Sequence, residues 1–223
     1  MRRSSTVVGL WSPAMSFTKT SLAPVPVAPL DGAVLDRQPT LRWNAVLTPS
    51  VQPRLAAPTY RVQVANNPAF TSPKINVTTQ ATSLTPVAGQ NLADGVWYWR
   101  VAFVDANSKV GPYNPAQSFT KEYALPQLIW PGQDSVIGAA PTFAWAATAG
   151  AAYYKLQYAD NSNYNSSTTV TTDLTEHTPV KALNITTYYW RVQLNDVDRN
   201  PGSLIEGRFV LRKFVYLPAI ISK

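Results

Sequence analysis

One histidine, no cysteine and twelve carboxylates bound the chemistry open to this 223-residue chain. His177 has Asp173 four residues before it and Glu176 beside it. A nucleophile relay is defined by geometry and roles, and no Gly-x-Ser-x-Gly elbow is present to supply the serine. His177 therefore reads as a strand-end residue. Glycoside cleavage needs two carboxyl groups across a cleft. The chain has only three glutamates, and its acids sit mostly in turn-like sequences. No catalytic residue and no enzymatic activity are expected. The absent cysteine removes disulfides, thiolate metal sites and cysteine nucleophiles. Asp196, Asp198 and Asn200 have the Asp-x-Asp-x-Asn spacing of a calcium loop. The glycine that should follow is Pro201 and the twelfth position is Gly207, not glutamate. A tight turn is the preferred reading, calcium the alternative; no other metal or cofactor is expected. Asn76, Asn165 and Asn184 each begin an Asn-x-Ser/Thr acceptor triplet, a pattern common by chance in a Thr-rich chain.

A second kind of chemistry is more regular. Arg61, Gln63, Tyr98 and Arg100 correspond, one repeat later, to Lys155, Gln157, Tyr189 and Arg191. Flat aromatics beside cations suit glycans or acidic polymers, each cation–π contact contributing ~0.5–1 kcal/mol when exposed. The simpler reading is that long polar and aromatic side chains favour exposed strand faces. The net charge of +7 is uneven. Residues 1–125 hold 11 Lys/Arg and 5 Asp/Glu, residues 126–223 hold 8 and 7. No basic run exceeds two residues (Arg2-Arg3, Arg212-Lys213), and no nucleic-acid motif appears, so nucleic acid is not an expected partner. No apolar run reaches the ~20 residues of a transmembrane helix.

These residues must be held by strands. Pro39-Thr40-Leu41-Arg42-Trp43 returns as Pro141-Thr142-Phe143-Ala144-Trp145, Tyr60-Arg61-Val62-Gln63-Val64 as Tyr154-Lys155-Leu156-Gln157-Tyr158, and Trp97-Tyr98-Trp99-Arg100-Val101 as Tyr188-Tyr189-Trp190-Arg191-Val192. Three matches in one order mean two copies of a unit of roughly 90–100 residues. The offset falls from 102 to 94 between the first two, which places eight extra residues after Trp43. That stretch, Leu47 to Pro58, holds three prolines and reads as a loop. Within each copy the period is two: Trp97, Trp99, Val101 and Phe103 face one way, Tyr98, Arg100, Ala102 and Val104 the other. In the second copy Tyr188, Trp190, Val192 and Leu194 alternate with Tyr189, Arg191, Gln193 and Asn195. Asp31-Gly32, Asn66-Asn67-Pro68, Asp94-Gly95, Asp105-Ala106-Asn107, Pro131-Gly132 and Asn200-Pro201-Gly202 punctuate the strands. About seven short antiparallel strands per copy make an all-β sandwich, with Trp43 and Trp145 between the sheets.

Pro-Thr-x-x-Trp, Tyr-x-Val-Gln-Val, Asp-Gly-x-x-Tyr-Trp-Arg-Val and Ser-Phe-Thr-Lys together resemble the fibronectin type III-like repeats of large bacterial extracellular proteins. The resemblance covers about residues 24–213 and implies two tandem immunoglobulin-like sandwiches, 24–122 and 126–213, joined at Tyr123-Ala124-Leu125-Pro126. It implies location outside the cell or on its surface. The second copy departs from it at Leu183-Asn184-Ile185-Thr186, which replaces the Asp-Gly turn.

The two ends stand apart. Val8 to Lys19 matches Val110 to Lys121 without a gap, identical at eight of twelve positions. Residues 1–23 thus hold the last strand of a repeat without its other strands. Three origins are open: a piece of a longer array or a displaced start, a donor strand that completes a neighbouring subunit, or an extra edge strand on the first domain. Ala14, Met15, Ser16, Phe17, Thr18 and Lys19 are the interchain candidates, alternating as an inserted strand requires. Val7 to Trp11 after Arg2-Arg3 is too short for a signal-peptide core. At the other end, residues 214–223 form an apolar tail in which Phe214, Val215, Tyr216, Leu217, Ile220 and Ile221 would dock on the second domain or insert into a partner.

The function expected from these readings is a non-catalytic extracellular structural or adhesive module, a subunit of a bacterial surface filament or sheath assembled by strand complementation. Its partners would be copies of itself or other assembly subunits. The alternative is a carbohydrate-binding or spacer region of a larger secreted protein or enzyme, with polysaccharide as its partner.

Overall fold

The computed structural model describes residues 12–16, 22–46 and 57–214. The first domain contains β1 (Pro26–Ala28), β2 (Ala33–Leu35), β3 (Leu41–Trp43), β4 (Thr59–Ala65), β5 (Ile75–Thr79), β6 (Ser83–Leu84), β7 (Gly95–Val104), β8 (Val110–Tyr113) and β9 (Gln117–Lys121). The second contains β10 (Leu128–Trp130), β11 (Ser135–Ile137), β12 (Phe143–Trp145), β13 (Tyr153–Ala159), β14 (Thr168–Thr172), β15 (Glu176–His177), β16 (Thr187–Asn195) and β17 (Pro201–Leu211). Each domain pairs a three-stranded sheet, β1-β3-β6 or β10-β12-β15, with a larger one, β2-β9-β7-β4-β5 or β11-β17-β16-β13-β14. The chain leaves one sheet for the other at a cis X-Pro peptide in both, Ala28–Pro29 and Trp130–Pro131. It then adds β2 or β11 as a parallel edge beside β9 or β17. The described residues contain no helix.

The cores follow the period-two pattern. Trp43 and Trp145 are buried, and each meets a tyrosine edge-on at 5.6 Å, Tyr60 or Tyr154. Those tyrosines keep their hydroxyls at the core edge, accepting the Val46 N–H at 3.1 Å and the Thr148 N–H at 2.8 Å, so a large apolar ring is buried without orphaning its polar end. Trp99 and Trp190 fill the opposite walls.

The alternation fails in three places. Ala102 and Val104, expected to face solvent, are buried because β8 folds against the end of β7 and sets Tyr113 opposite Ala102. Asn195, also expected outward, is buried at the end of β16, where a register shift follows Gln193. The last strand is broken in the first domain and continuous in the second. Pro115 removes a ladder donor there, and Asn114 bridges the gap by accepting the Val101 N–H at 2.6 Å. The Leu183–Thr186 stretch turns without a glycine, and its Thr186 carbonyl accepts the Leu211 N–H.

Ala14, Met15 and Ser16 belong to no strand and are exposed, Met15 at 94%, so the expected β-structure is not formed by these three within this chain. Phe17, Thr18 and Lys19 lie outside the described residues, as do positions 47–56 of the expected loop and all tail residues after Phe214. Phe214 lays its ring over Gly138, in contact distance of where a side chain there would begin, beside Trp130, Val136 and Pro141.

Candidate functional site

The outer faces of the larger sheets bring the repeated polar set together. In the first domain, β4 and β7 run antiparallel with Gln63 opposite Arg100. Gln63 Oε1 accepts the Arg100 Nε–H at 2.8 Å. Arg61 donates from Nε to Asn76 Oδ1 at 2.6 Å and from Nη1 to Thr78 Oγ1 at 3.2 Å, both on β5. The Arg100 guanidinium lies between two rings, 4.0 Å from the centroid of Phe70 and 4.2 Å from that of Tyr113. In the second domain, Arg191 Nε–H donates to Gln157 Oε1 at 2.6 Å and its guanidinium sits 3.9 Å from the Tyr164 centroid. Burial of the Tyr164 ring, with Glu206 nearby, pushes its phenol up to about 12. Lys155 stands where Arg61 does and is exposed.

Phe70 and Tyr164 were not among the residues singled out from sequence. Both sit at φ 55° in a turn closed by an asparagine. Asn67 accepts the Thr71 N–H and Asn161 the Asn165 N–H. The signal was present: Phe70 and Tyr164 share the offset of 94 that relates Tyr60 to Tyr154. A loop aromatic is hard to weigh until the arginine beneath it is placed.

The second assembly of polar groups lies where the domains meet. Tyr123, read from sequence as linker, is buried and belongs to the core of the second domain. Its ring packs on Gly150, whose φ of +85° and lack of Cβ both matter, since a Cβ there would lie 2.5 Å from Tyr123 Cε1. The Tyr123 hydroxyl donates to Asp196 Oδ2 at 3.0 Å and accepts from Gln38 Nε2 at 2.9 Å. Burial pushes this phenol up to about 12, with Asp196 and Asp94 acting in the same sense. Its backbone N–H donates to Asp94 Oδ1, which also accepts from Lys121 Nζ at 2.7 Å. Lys121 is fully buried, and that burial holds its pKa below the ordinary lysine value against the pull of Asp94.

Asp196 and Asp198 define the other half of this joint. Asp196 is buried and its carboxylate takes four donors: the N–H groups of Asp198 and Asn200, Asn200 Nδ2 and the Tyr123 hydroxyl. Asp198 reaches into the first domain, where Oδ1 accepts the Gly89 N–H at 2.7 Å and Oδ2 the Asn91 N–H at 2.8 Å. Those two bonds hold its carboxyl below the usual range. Asn200 Nδ2 donates to the Asn91 carbonyl at 3.2 Å. The carboxylate oxygens of Asp196 and Asp198 are thus engaged by N–H and O–H donors. Among the described residues no three His, Cys, Asp or Glu side chains gather as a metal site requires. His177 pairs with Phe143 across β15 and β12 and lines a hollow of about 490 Å³ with Tyr158, Lys181 and Tyr188.

The topology decides the fold. Each half is a fibronectin type III-like sandwich. No family profile matches the chain, and no curated protein matches it. Solved structures do. A two-domain fibronectin type III segment of chicken tenascin is 12% identical at a TM-score of 0.39, covering 86% of this chain and 99% of its own. The FN1–FN3 domains of chicken CNTN1 are 15% identical at 0.33, covering 86% and 67%. The fibronectin(III)-like modules of Clostridium thermocellum CbhA are 10% identical at 0.31, covering 85% and 94%. No helix among the described residues is long and apolar enough to cross a membrane.

Proposed function

We propose that this chain is a non-catalytic extracellular spacer module whose task is to hold two sandwiches at a fixed mutual orientation. The observation behind this reading is the joint. A simple tether would leave the domain ends solvated and free to reorient. Here Asp198 caps two backbone N–H groups of the neighbouring domain, and Tyr123 is seated in one domain while bonding to both. Bonds to a carboxylate are the stronger kind, and a cluster that shares Tyr123 resists bending in more than one direction. A bacterial surface setting fits such a module. Assembly into filaments by residues 14–19 has no support in the positions of Ala14, Met15 and Ser16.

Asp198→Ala tests the reading because it removes two of the bonds between the domains without touching either core. Interdomain residual dipolar couplings of the native chain should fit one alignment tensor, and those of the variant should need two. If the native chain already needs two, the joint is not rigid and the spacer reading fails.

A further inference from the structure

We propose that the outer face of the larger sheet in the first domain binds an anionic polysaccharide, a function beyond that of a spacer. The cationic groups of this face lack a protein counter-charge. Among the described residues, Arg61 bonds only to an amide and a hydroxyl, and Arg100 only to the amide of Gln63. None of the five carboxylates of residues 1–125 pairs with Arg61 or Arg100, although Asp31 reaches this face at Ser118, opposite Tyr98. Asp36 pairs with Arg37, Asp94 with Lys121, Asp105 closes its own turn, Asp31 binds Ser118 on β9, and Glu122 follows that strand. In the second domain the same position is neutralised, since Arg191 faces Glu206 at 3.4 Å and Arg208 pairs with Asp134.

A guanidinium has five N–H donors in a planar fork. Arg61 uses two and Arg100 one. Phe70 and Tyr113 both lie against the Arg100 guanidinium, and Gln63 holds its Nε, so the fork is in place before any ligand arrives. Arg61 stands opposite Ala102, one diagonal step from Arg100, a spacing of about 7–8 Å between the two residues. Around them are the amides of Asn76 and Gln63 and the hydroxyls of Thr78 and Tyr98, all on one flat face. Forks for acidic groups, set among donors and acceptors for hydroxyls on an open surface, suit an extended acidic sugar polymer. Arg100 covers one face each of Phe70 and Tyr113, which leaves Tyr98 as the open ring of this surface.

The test uses the full chain with immobilised polygalacturonate, dextran sulfate, neutral dextran, polyglutamate and poly-uridylate. The expected result is salt-sensitive binding to one or both acidic polysaccharides and none to dextran. Carboxylate preference points to uronates, the reverse to sulfated chains. Arg61→Gln should weaken binding about tenfold, as expected when a hydrogen bond to a charged group is lost. Asn76→Asp, which sets a carboxylate against Arg61 at nearly unchanged volume, should do the same and covers the case that Arg61→Gln folds poorly. Lys181→Gln removes one charge at a remote exposed site and should change binding less than twofold. The proposal is overturned if the native chain binds neither polysaccharide or binds dextran as well. It is also overturned if polyglutamate or poly-uridylate binds as tightly, if Lys181→Gln costs as much as Arg61→Gln, or if Asn76→Asp costs nothing.

Discussion

The two domains share a fold and much of their side-chain code, yet they differ where each meets something else. At its lower end the first domain buries Lys121 against Asp94 and hands the chain on through Tyr123. The second domain has Leu211, Ile185 and Lys213 at the corresponding positions, with Leu211 buried and Ile185 exposed. An apolar residue suffices to finish the sandwich, so the charged pair is not needed for the fold. It serves the joint, because Asp94 also accepts the Tyr123 N–H. A second contrast concerns the Asp turns. Asp105 and Asp196 close the same turn, each accepting two backbone N–H groups, with Ser108 and Arg199 at φ 64° and 66°. Only the second turn carries an aspartate two residues on, and only that turn is seen to grip a neighbouring domain.

Making the first domain resemble the second at this end is the largest perturbation. Lys121→Leu alone leaves Asp94 half-buried beside an apolar group and should cost about 2–4 kcal/mol of unfolding free energy in urea. Adding Asp94→Ile, which copies the second domain, should recover most of that loss. The same double variant should loosen the joint. A double variant as unstable as the single would mean that Lys121 supports the first domain itself.

Tyr123 ties the stability of the chain to pH. Tyr123→Phe keeps the ring on Gly150 and removes two hydrogen bonds, costing about 1–2 kcal/mol at pH 8. The buried phenol titrates near 12 instead of 10, so the native state favours the protonated form. Its contribution is complete below pH 10 and declines as pH rises from 10 to 12, by about 3 kcal/mol in all. The stability gap between native chain and variant should therefore close and then reverse across that window, read by urea denaturation at each pH. A gap that is constant from pH 9 to 12 would show that the hydroxyl is not held as described.

What could be read in the sequence follows from what period and repetition encode. Trp43, Trp145, Trp99 and Trp190 were legible because inward positions must be apolar whatever the loops do. The ladder of Arg61, Gln63 and Arg100 was legible because it recurs. Tyr123 was not, since a single tyrosine in a short link has the same appearance whether it is solvated or wedged into the next domain. Asp196 and Asp198 were noticed for their spacing, which suits a calcium loop as well as an Asx turn. What separates those uses is the identity of the donors, and Gly89 and Asn91 lie more than 100 residues away. Ala102 was misplaced because a later strand, β8, covers it.

The smallest effect tests the contrast between the outer faces from the opposite side. Glu206 is half-exposed and its pair with Arg191 is long, so Glu206→Gln should change stability by no more than about 0.5 kcal/mol. The Arg191 fork, already stacked on Tyr164 and bonded to Gln157, would then stand uncompensated as Arg100 does. Introduced into the Arg61→Gln chain, Glu206→Gln should restore acidic-polysaccharide binding several-fold, with Arg191 as the new contact. Lys155 in place of Arg61 limits the gain, because an ammonium is a point charge and lacks the planar fork. If binding does not rise at all, counter-charge is not what distinguishes the two faces, and the arrangement of Phe70, Tyr113 and Arg100 must matter more than its net charge.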